Sequence, residues 1–141
     1  MNCLSFDVGG TTIKYGVINN SYEVIHKDKI PTPKDEEKFI ESLSEIIHKN
    51  INNISKVSVG MPGYVNVASN KYLYGPHLPF EIDFSKLSNF SDYEFYLDND
   101  GNVAAYCEYF LNYKNKYSNL IMLTFGTCLL YTSPSPRDRS S

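Results

Sequence analysis

The segment DVGGTTIKYG, residues 7–16, most constrains the fold, because it places a glycine-rich turn between two stretches that both read as β-strands. Residues 3–8 form a short apolar run that is typical of a buried strand. Residues 12–19 broadly alternate apolar and polar side chains. Gly9 and Gly10 supply the flexibility that a tight turn needs. The pattern therefore predicts an antiparallel hairpin.

The rest of the chain continues as strands and helices of ordinary length. The prolines of PTP stop a third strand, so the first three strands form an antiparallel meander. Phe39, Leu43 and Ile47 recur at four-residue steps and predict a helix. The further predicted elements are a strand over residues 21–30, a helix from Lys34 to His48, strands over 56–63 and 94–100, a helix from Asn102 to Leu111 and a strand over 118–127. This order, with about 30 unassigned residues before residue 94, predicts an α/β domain with a mixed sheet, helices on both faces and loops clustered at strand ends.

Composition restricts the class of protein and its partners. A length of 141 residues suits one domain, and 42% apolar residues can form its core. The formal net charge of −3 argues against nucleic acid or an acidic membrane surface as a partner. We find no signal peptide and no apolar run of the roughly 20 residues that a membrane span needs, so we expect a cytoplasmic protein. Three isolated cysteines, Cys3, Cys107 and Cys128, are expected to be reduced.

The glycine turn carries groups that suit a phosphate ligand. It lacks the spacing of a P-loop, and a strand rather than a helix follows it. Glycines allow backbone N–H groups to approach a polyanion without an intervening Cβ, and hydroxyl and ammonium groups can add hydrogen bonds and charge. A carboxylate at the strand end could hold a nucleotide's Mg²⁺ through water. The residues concerned are Asp7, Gly9, Gly10, Thr11, Thr12 and Lys14. An ordinary hairpin turn is the alternative.

A second polar group lies in LDNDGNVAAYCE, residues 97–108, where a predicted strand ends at a predicted helix. Asp98, Asn99 and Asp100 stand at this junction. A helix N-terminus favours a carboxylate and keeps it ionised, so that it can accept a proton from a substrate hydroxyl. Asn99 offers both a donor and an acceptor to a polyol. The alternative is that one of these residues only caps the helix.

A third segment, VGMPGYVN, places Gly60 and Gly63 on either side of Met-Pro at the end of a strand. Such a loop can pass close to a ligand, although a plain turn would have the same composition.

Taken together, the three segments resemble the ROK family of repressors, open reading frames and sugar kinases, within the actin-like ATPases. DVGGTTIKYGVI is similar to the family's first phosphate motif, and SVGMPGYVN to its GxPGxVD segment, with Asn66 where Asp is usual. LDNDGNVAAYCE resembles the catalytic NDxNxAAxxE segment, and LTFGT the start of a GTGxGGG phosphate loop. The resemblance covers residues 3–127. It implies an actin-like, ribonuclease H-like ATPase fold, with residues 1–127 as the N-terminal domain of a two-domain kinase.

The resemblance also implies a reaction and its residues. The parent protein would transfer a phosphoryl group from ATP to a hydroxyl of a hexose or hexose derivative, usually at C6. Asp100 would be the general base, and Asp7 would face Mg²⁺. The sugar would contact Asn99, Gly60, Pro62 and Gly63. The ATP phosphates would face Asp7, Gly9, Gly10, Thr11, Thr12, Lys14, Gly126 and Thr127. The family's structural zinc site would lie outside this chain, and relatives are commonly homodimers.

The end of the chain, CLLYTSPSPRDRSS, residues 128–141, differs in composition from the rest. Residues 1–127 contain no arginine, whereas Arg137 and Arg139 both lie in this tail. One back-translation of residues 128–138 resembles a transposon-end adapter used in sequencing libraries. We therefore expect the tail to be non-native, the gene to continue after Thr127, and this chain alone to be inactive as a kinase. A natural disordered Ser/Pro tail is the alternative.

Several functional alternatives remain open. A ROK-type repressor would carry a helix-turn-helix before the phosphate motif, and only six residues precede Asp7. A different actin-like ATPase and a binding-only pseudoenzyme are the others, and Asp7 and Asp100 argue against the pseudoenzyme. The sugar itself is not specified. His77 could contact it, although a solvated surface histidine is the simpler interpretation.

Overall fold

The computed structural model describes residues 2–89, 92–103, 122–125 and 129–132, the last two ranges by their backbone only. Gly126 and Thr127 lie outside the described residues, as does the predicted helix beyond residue 103. The described elements are, in chain order, β1 (Asn2–Val8), β2 (Thr12–Ile18), β3 (Val24–Pro31), α1 (Glu36–Asn50), β4 (Ile54–Met61), β5 (Tyr64–Asn66), β6 (Lys71–Tyr74), β7 (Ile82–Asp83), α2 (Ser85–Ser88), β8 (Glu94–Asn99), β9 (Met122–Phe125) and β10 (Leu129–Thr132). None of the helices in these ranges has the length and apolar composition that would let it cross a bilayer.

The main sheet has the strand order β3-β2-β1-β4-β8. β1 pairs antiparallel with β2, and β2 pairs antiparallel with β3. β4 pairs parallel with β1, and β8 pairs parallel with β4. The predicted meander and mixed sheet are therefore confirmed. The N-terminal strand lies at the centre of the sheet.

Alternation of side chains along the central strands explains why one face of the sheet is the core. Leu4, Phe6 and Val8 are buried, whereas Ser5 between them is half-buried and Asp7 is exposed. Since successive side chains of a strand point to opposite faces, this pattern assigns the three apolar residues to one face. Burial of each of these side chains stabilises the fold by about 1.5–3 kcal/mol.

Helix α1 begins two residues after its predicted start, because Asp35 caps it. The Asp35 carboxylate accepts a hydrogen bond from the Lys38 backbone N–H at 2.8 Å. Glu36 and Glu37 in the first turn complement the positive end of the helix dipole. The face predicted from the four-residue spacing is the buried one, and it consists of Phe39, Ile40, Leu43, Ile46 and Ile47.

The stretch between β4 and β8, left without secondary structure in the sequence interpretation, contains a small antiparallel sheet of order β5-β6-β7 and the one-turn helix α2. The ring of Phe84 meets Phe39 of α1 edge-on, at a centroid distance of 5.9 Å and an interplanar angle of 85°. Tyr72 is fully buried and donates a hydrogen bond to the Leu78 carbonyl at 2.9 Å. The stretch therefore packs into the same core.

The predicted last strand is described only over Met122–Phe125. It pairs antiparallel with β10, which lies in the tail that we predicted to be non-native.

Candidate functional site

Parallel pairing brings the ends of β1, β4 and β8 to one edge of the sheet. Asp7 of β1 lies opposite Gly60 of β4, which lies opposite Asp98 of β8. The segments that follow these strands therefore start side by side. They are the glycine turn, the Pro62–Gly63 loop and the Asn99–Asp100 pair, which are the three segments singled out in the sequence. In open α/β sheets this edge is where ligands bind.

Both glycines of the turn are needed for space. The Gly9 N–H donates to the Thr12 carbonyl at 2.9 Å, and a Cβ on Gly9 would lie 2.8 Å from that oxygen. A Cβ on Gly10 would lie 2.8 Å from the Cβ of His77. Neither glycine has a positive φ, so the left-handed conformation is not the reason for their presence. We expected flexibility to be the reason, and close packing within the protein takes its place.

The turn is held by Thr32 and Lys34, two residues that the sequence interpretation missed. The Thr32 hydroxyl donates to the Gly9 carbonyl at 2.7 Å, and its backbone N–H donates to the Thr11 carbonyl at 2.9 Å. The Lys34 ammonium donates to the Gly10 carbonyl at 3.2 Å. We interpreted PTPK only as a strand terminator. The available signal was a hydroxyl and an amine directly after a strand that pairs with the turn's own strand.

Lys14 lies directly opposite Asp7 in the β1–β2 register, and both side chains are exposed. Thr11 is exposed and Thr12 is half-buried. The described cofactor-binding candidates therefore stand together at this edge.

The Pro62–Gly63 loop is tied to the catalytic candidates by Asn99. The Asn99 side-chain amide donates to the Gly63 carbonyl at 2.7 Å. A Cβ on Gly63 would lie 2.5 Å from the Tyr74 carbonyl oxygen and 2.9 Å from the Cα of Gly75, so the loop packs tightly on the end of β6. Gly60 is less confined, because its nearest contact, the Cα of Asp100, would be 3.6 Å from an added Cβ.

Asn99 also caps the helical turn over residues 100–103. Its side-chain oxygen accepts from the Gly101 N–H at 2.9 Å, and the Asp100 carboxylate accepts from the same N–H at 2.8 Å. Next to them, the buried Asp98 carboxylate accepts from the Asn99 N–H at 2.7 Å and from the Asn102 side chain at 3.1 Å. These bonds fix the direction in which the strand delivers Asp100.

Asp100 is half-buried, and burial raises the pKa of its carboxyl above the ordinary value. The negative charge of Asp7 raises that pKa further, while the Gly101 N–H and the charge of His77 lower it. We expected the helix N-terminus to dominate, and desolvation outweighs it. A raised pKa makes the carboxylate a better proton acceptor. The influence of Asp7 and His77 places both charges near Asp100.

Asp7 alone fits a magnesium ion held mainly by its nucleotide. Mg²⁺ usually binds one or two carboxylates plus substrate phosphates and keeps several waters. The exposed Asp7 carboxylate beside the glycine turn matches this donor set. Within residues 2–89 and 92–103, no three His, Cys, Asp or Glu side chains form a metal cluster.

The largest surface groove lies elsewhere, between α1 and α2, with a volume of about 600 Å³. Glu36, Glu37, Glu41 and Lys86 are among the residues that line it. Because its walls carry none of the grouped residues above, we place the candidate site at the sheet edge. There the described residues form an open wall.

Known proteins match this chain over most of its length. A glucokinase from Streptomyces coelicolor is 26% identical over 130 residues, which are 89% of this chain and 41% of that protein. An N-acetylmannosamine kinase from Haemophilus influenzae is 26% identical over 132 residues, or 90% of this chain and 44% of that protein. The chain thus spans less than half the length of these curated relatives.

Solved structures share the fold. A ROK family glucokinase from Streptomyces griseus, in complex with glucose and AMPPNP, superposes with a TM-score of 0.75 at 24% identity, over 93% of this chain and 43% of that one. A ROK family transcriptional regulator, a homologue of the E. coli MLC protein, superposes with a TM-score of 0.79 at 15% identity, over 94% of this chain and 36% of that one. The expected actin-like fold is confirmed. The sequence profile of the ROK family matches residues 3–129, and the chain therefore belongs to the ROK family.

Proposed function

We propose that this chain is the N-terminal part of an ATP-dependent sugar kinase that phosphorylates a hydroxyl, at C6, of a hexose or hexose derivative. One observation carries the proposal. The glycine turn with Asp7 and the Asn99–Asp100 pair, on separate strands, meet at one sheet edge, where the charge of Asp7 acts on the Asp100 carboxyl. The glucokinase and N-acetylmannosamine kinase relatives support sugar phosphorylation as the general reaction.

On the nucleotide side, the turn would receive the phosphates of ATP. Backbone N–H groups of the turn, the threonine hydroxyls and the Lys14 ammonium would offset the phosphate charge. The set consists of Gly9, Gly10, Thr11, Thr12 and Lys14, to which we add Gly126 and Thr127 from the second phosphate segment. The Asp7 carboxylate would hold Mg²⁺ through water, and this ion would neutralise charge on the phosphates.

On the sugar side, Asn99 and the loop of Gly60, Pro62 and Gly63 would position the acceptor. The sugar hydroxyl oxygen forms the new bond to the γ-phosphorus, and the bond from that phosphorus to the β–γ bridging oxygen breaks. Asp100 takes the hydroxyl proton, and ADP leaves with the electron pair of the broken bond. Phosphoryl transfer of this kind needs positioning, charge neutralisation and a base, and no covalent nucleophile.

The parent protein would supply the other wall of the site. We propose that its gene continues after Thr127, that residues 128–141 are adapter-derived, and that the 141-residue chain alone is inactive. A long DNA read through codon 127 tests this proposal. A continuous frame into a second domain supports it, and reproduction of the same tail codons and a stop refutes it.

The kinase assay compares the full-length gene product, the 141-residue chain and two variants. We expect ATP-dependent phosphorylation of at least one hexose by the full-length protein, and a loss of roughly 10²–10⁴-fold in Asp100→Asn. Asp28→Asn, the same chemical change on the exposed strand β3, is the matched control and should retain activity. Equal activity of Asp100→Asn and Asp28→Asn would eliminate Asp100 as the base.

A DNA-binding regulator is the second candidate, because the ROK transcriptional regulator shares the fold of this chain. Selective, salt-dependent binding of the full-length protein to DNA, without sugar phosphorylation, would favour it. ATP hydrolysis that no sugar stimulates would instead indicate a different actin-like ATPase. We also propose a homodimer for the parent protein, which its sedimentation tests.

A further inference from the structure

We propose that Thr32 is a positioning residue for the nucleotide: together with Lys34 it binds the carbonyls of the glycine turn and thereby turns the N–H groups of that turn toward the phosphates. The inference rests on the proposed function. It deepens that function by assigning the shape of the turn to a segment, residues 31–34, that touches neither substrate.

The first step is that three consecutive carbonyls of the turn have donors from this one segment. The Gly9 carbonyl accepts from the Thr32 hydroxyl at 2.7 Å, and the Gly10 carbonyl accepts from the Lys34 ammonium at 3.2 Å. The Thr11 carbonyl accepts from the Thr32 backbone N–H at 2.9 Å. All three oxygens therefore face the connection between β3 and α1.

The second step follows from the geometry of the peptide group. In a planar trans peptide the N–H of one residue points opposite to the C=O of the residue before it. The N–H groups of Gly10, Thr11 and Thr12 therefore point away from Thr32 and Lys34. Among the described residues, no protein acceptor binds the N–H of Gly10 or Thr11. Successive N–H groups with one common direction form a concavity that binds anions.

The third step concerns what holds this arrangement. Thr32 is only 3% exposed, so its hydroxyl has little access to water as an alternative partner. If the hydroxyl is removed, the Gly9 carbonyl loses its donor and the first peptide of the turn is free to rotate. A buried carbonyl without a donor is unfavourable, so rotation of that peptide toward water is the expected response. The N–H of Gly10 would then leave the phosphate side.

The experiment measures binding of Mg·AMPPNP and steady-state kinetics in the full-length gene product. Thr32→Val keeps the shape and removes the donor, and Thr32→Ser restores the donor. Lys34→Met removes the exposed arm, and Lys38→Met is its control, since the Lys38 side chain is 75% exposed and lies outside the turn. Thermal unfolding of each variant reports whether it is folded.

We expect Thr32→Val to raise both the Kd for Mg·AMPPNP and the KM for ATP roughly fivefold to tenfold. The KM for the sugar should stay within about twofold, since the Asn99 side of the site is untouched. Thr32→Ser should bind like the wild type. Lys34→Met should weaken binding, and Lys38→Met should not.

Four results would overturn the inference. In the first, folded Thr32→Val binds Mg·AMPPNP as tightly as the wild type. In the second, its KM for the sugar rises as much as its KM for ATP, which would indicate general loosening. If Thr32→Val does not fold, equal binding by Lys34→Met and Lys38→Met is the third. A wild-type protein that does not bind Mg·AMPPNP is the fourth, and it refutes the proposed function as well. A wild type that binds nucleotide but phosphorylates no sugar refutes the proposed function alone.

Discussion

Replacement of Gly63 by alanine should destabilise the protein strongly, whereas the same change at Gly60 should not. Both glycines belong to the same predicted sugar-contacting segment. A methyl carbon on Gly63 would lie 2.5 Å from the Tyr74 carbonyl oxygen, 0.5 Å inside the 3.0 Å limit that Cβ atoms observe. It would also lie 2.9 Å from both the Gly75 Cα and a ring carbon of Tyr72.

The magnitude follows from what would have to move. Two of the three obstructing atoms are backbone, and the third belongs to a fully buried ring whose hydroxyl donates to the Leu78 carbonyl at 2.9 Å. Overpacking of this kind costs about 1–3 kcal/mol, and loss of the tyrosine hydrogen bond would add about 1 kcal/mol. We therefore expect a loss of about 2–4 kcal/mol in the free energy of unfolding. The nearest contact at Gly60 is an ordinary 3.6 Å, so that variant should change by less than about 1 kcal/mol.

Equilibrium urea unfolding of both variants, followed by circular dichroism, provides the measurement. A Gly63→Ala variant within about 0.5 kcal/mol of the wild type would refute the reasoning. So would a Gly60→Ala variant that is destabilised as much as Gly63→Ala.

Three further predictions concern charge and capping. Burial raises the pKa of the Asp100 carboxyl in the folded state, so this group favours folding only while it is protonated and destabilises the protein as the pH rises through that pKa. Asp100→Asn should therefore be more stable than the wild type at neutral pH, with the difference vanishing below the model-peptide pKa of 3.8 in pH-dependent unfolding, and a variant less stable at neutral pH would contradict this. Burial, followed by the charge of Asp92, raises the pKa of Tyr93 to about 12, so stability should fall between the ordinary pKa of 10.0 and about pH 12. Ultraviolet titration should find a tyrosine that ionises near pH 12 and is missing from Tyr93→Phe, and a titration identical in both proteins would refute the assignment. Asp35→Ala removes the carboxylate that accepts the Lys38 N–H and should lower the free energy of unfolding by about 1 kcal/mol, whereas Asp35→Asn should retain most of it in the same denaturation assay.

The sequence indicated the parts of the fold whose periodicity extends over several residues. The buried run of β1 and the four-residue spacing of Phe39, Leu43 and Ile47 each reflect a single buried face, which is a local property of the chain. The grouping of Asp7 with Asp98 and Asp100 was also accessible, because parallel strands place their ends at one edge.

The missed parts depend on contacts between distant segments. Strands of two to four residues, such as β5, β6 and β7, are too short to show a period. Thr32 binds Gly9 across 23 positions, and nothing local to PTPK marks its hydroxyl as a donor to the turn. His77 packs against Gly10 from the far side of the small sheet's connection, a proximity that only the folded chain creates.

The central position of β1 has a consequence for the order of events during synthesis. Its antiparallel partner β2 emerges directly after it, but its parallel partner β4 begins only at Ile54, well after β1 ends at Val8. At 5–20 residues per second, one edge of the strand waits roughly 2–9 s for its partner. During that interval the nascent hairpin presents an unpaired edge to other chains, so slower translation between residues 19 and 54 should increase misassembly more than slower translation after residue 61.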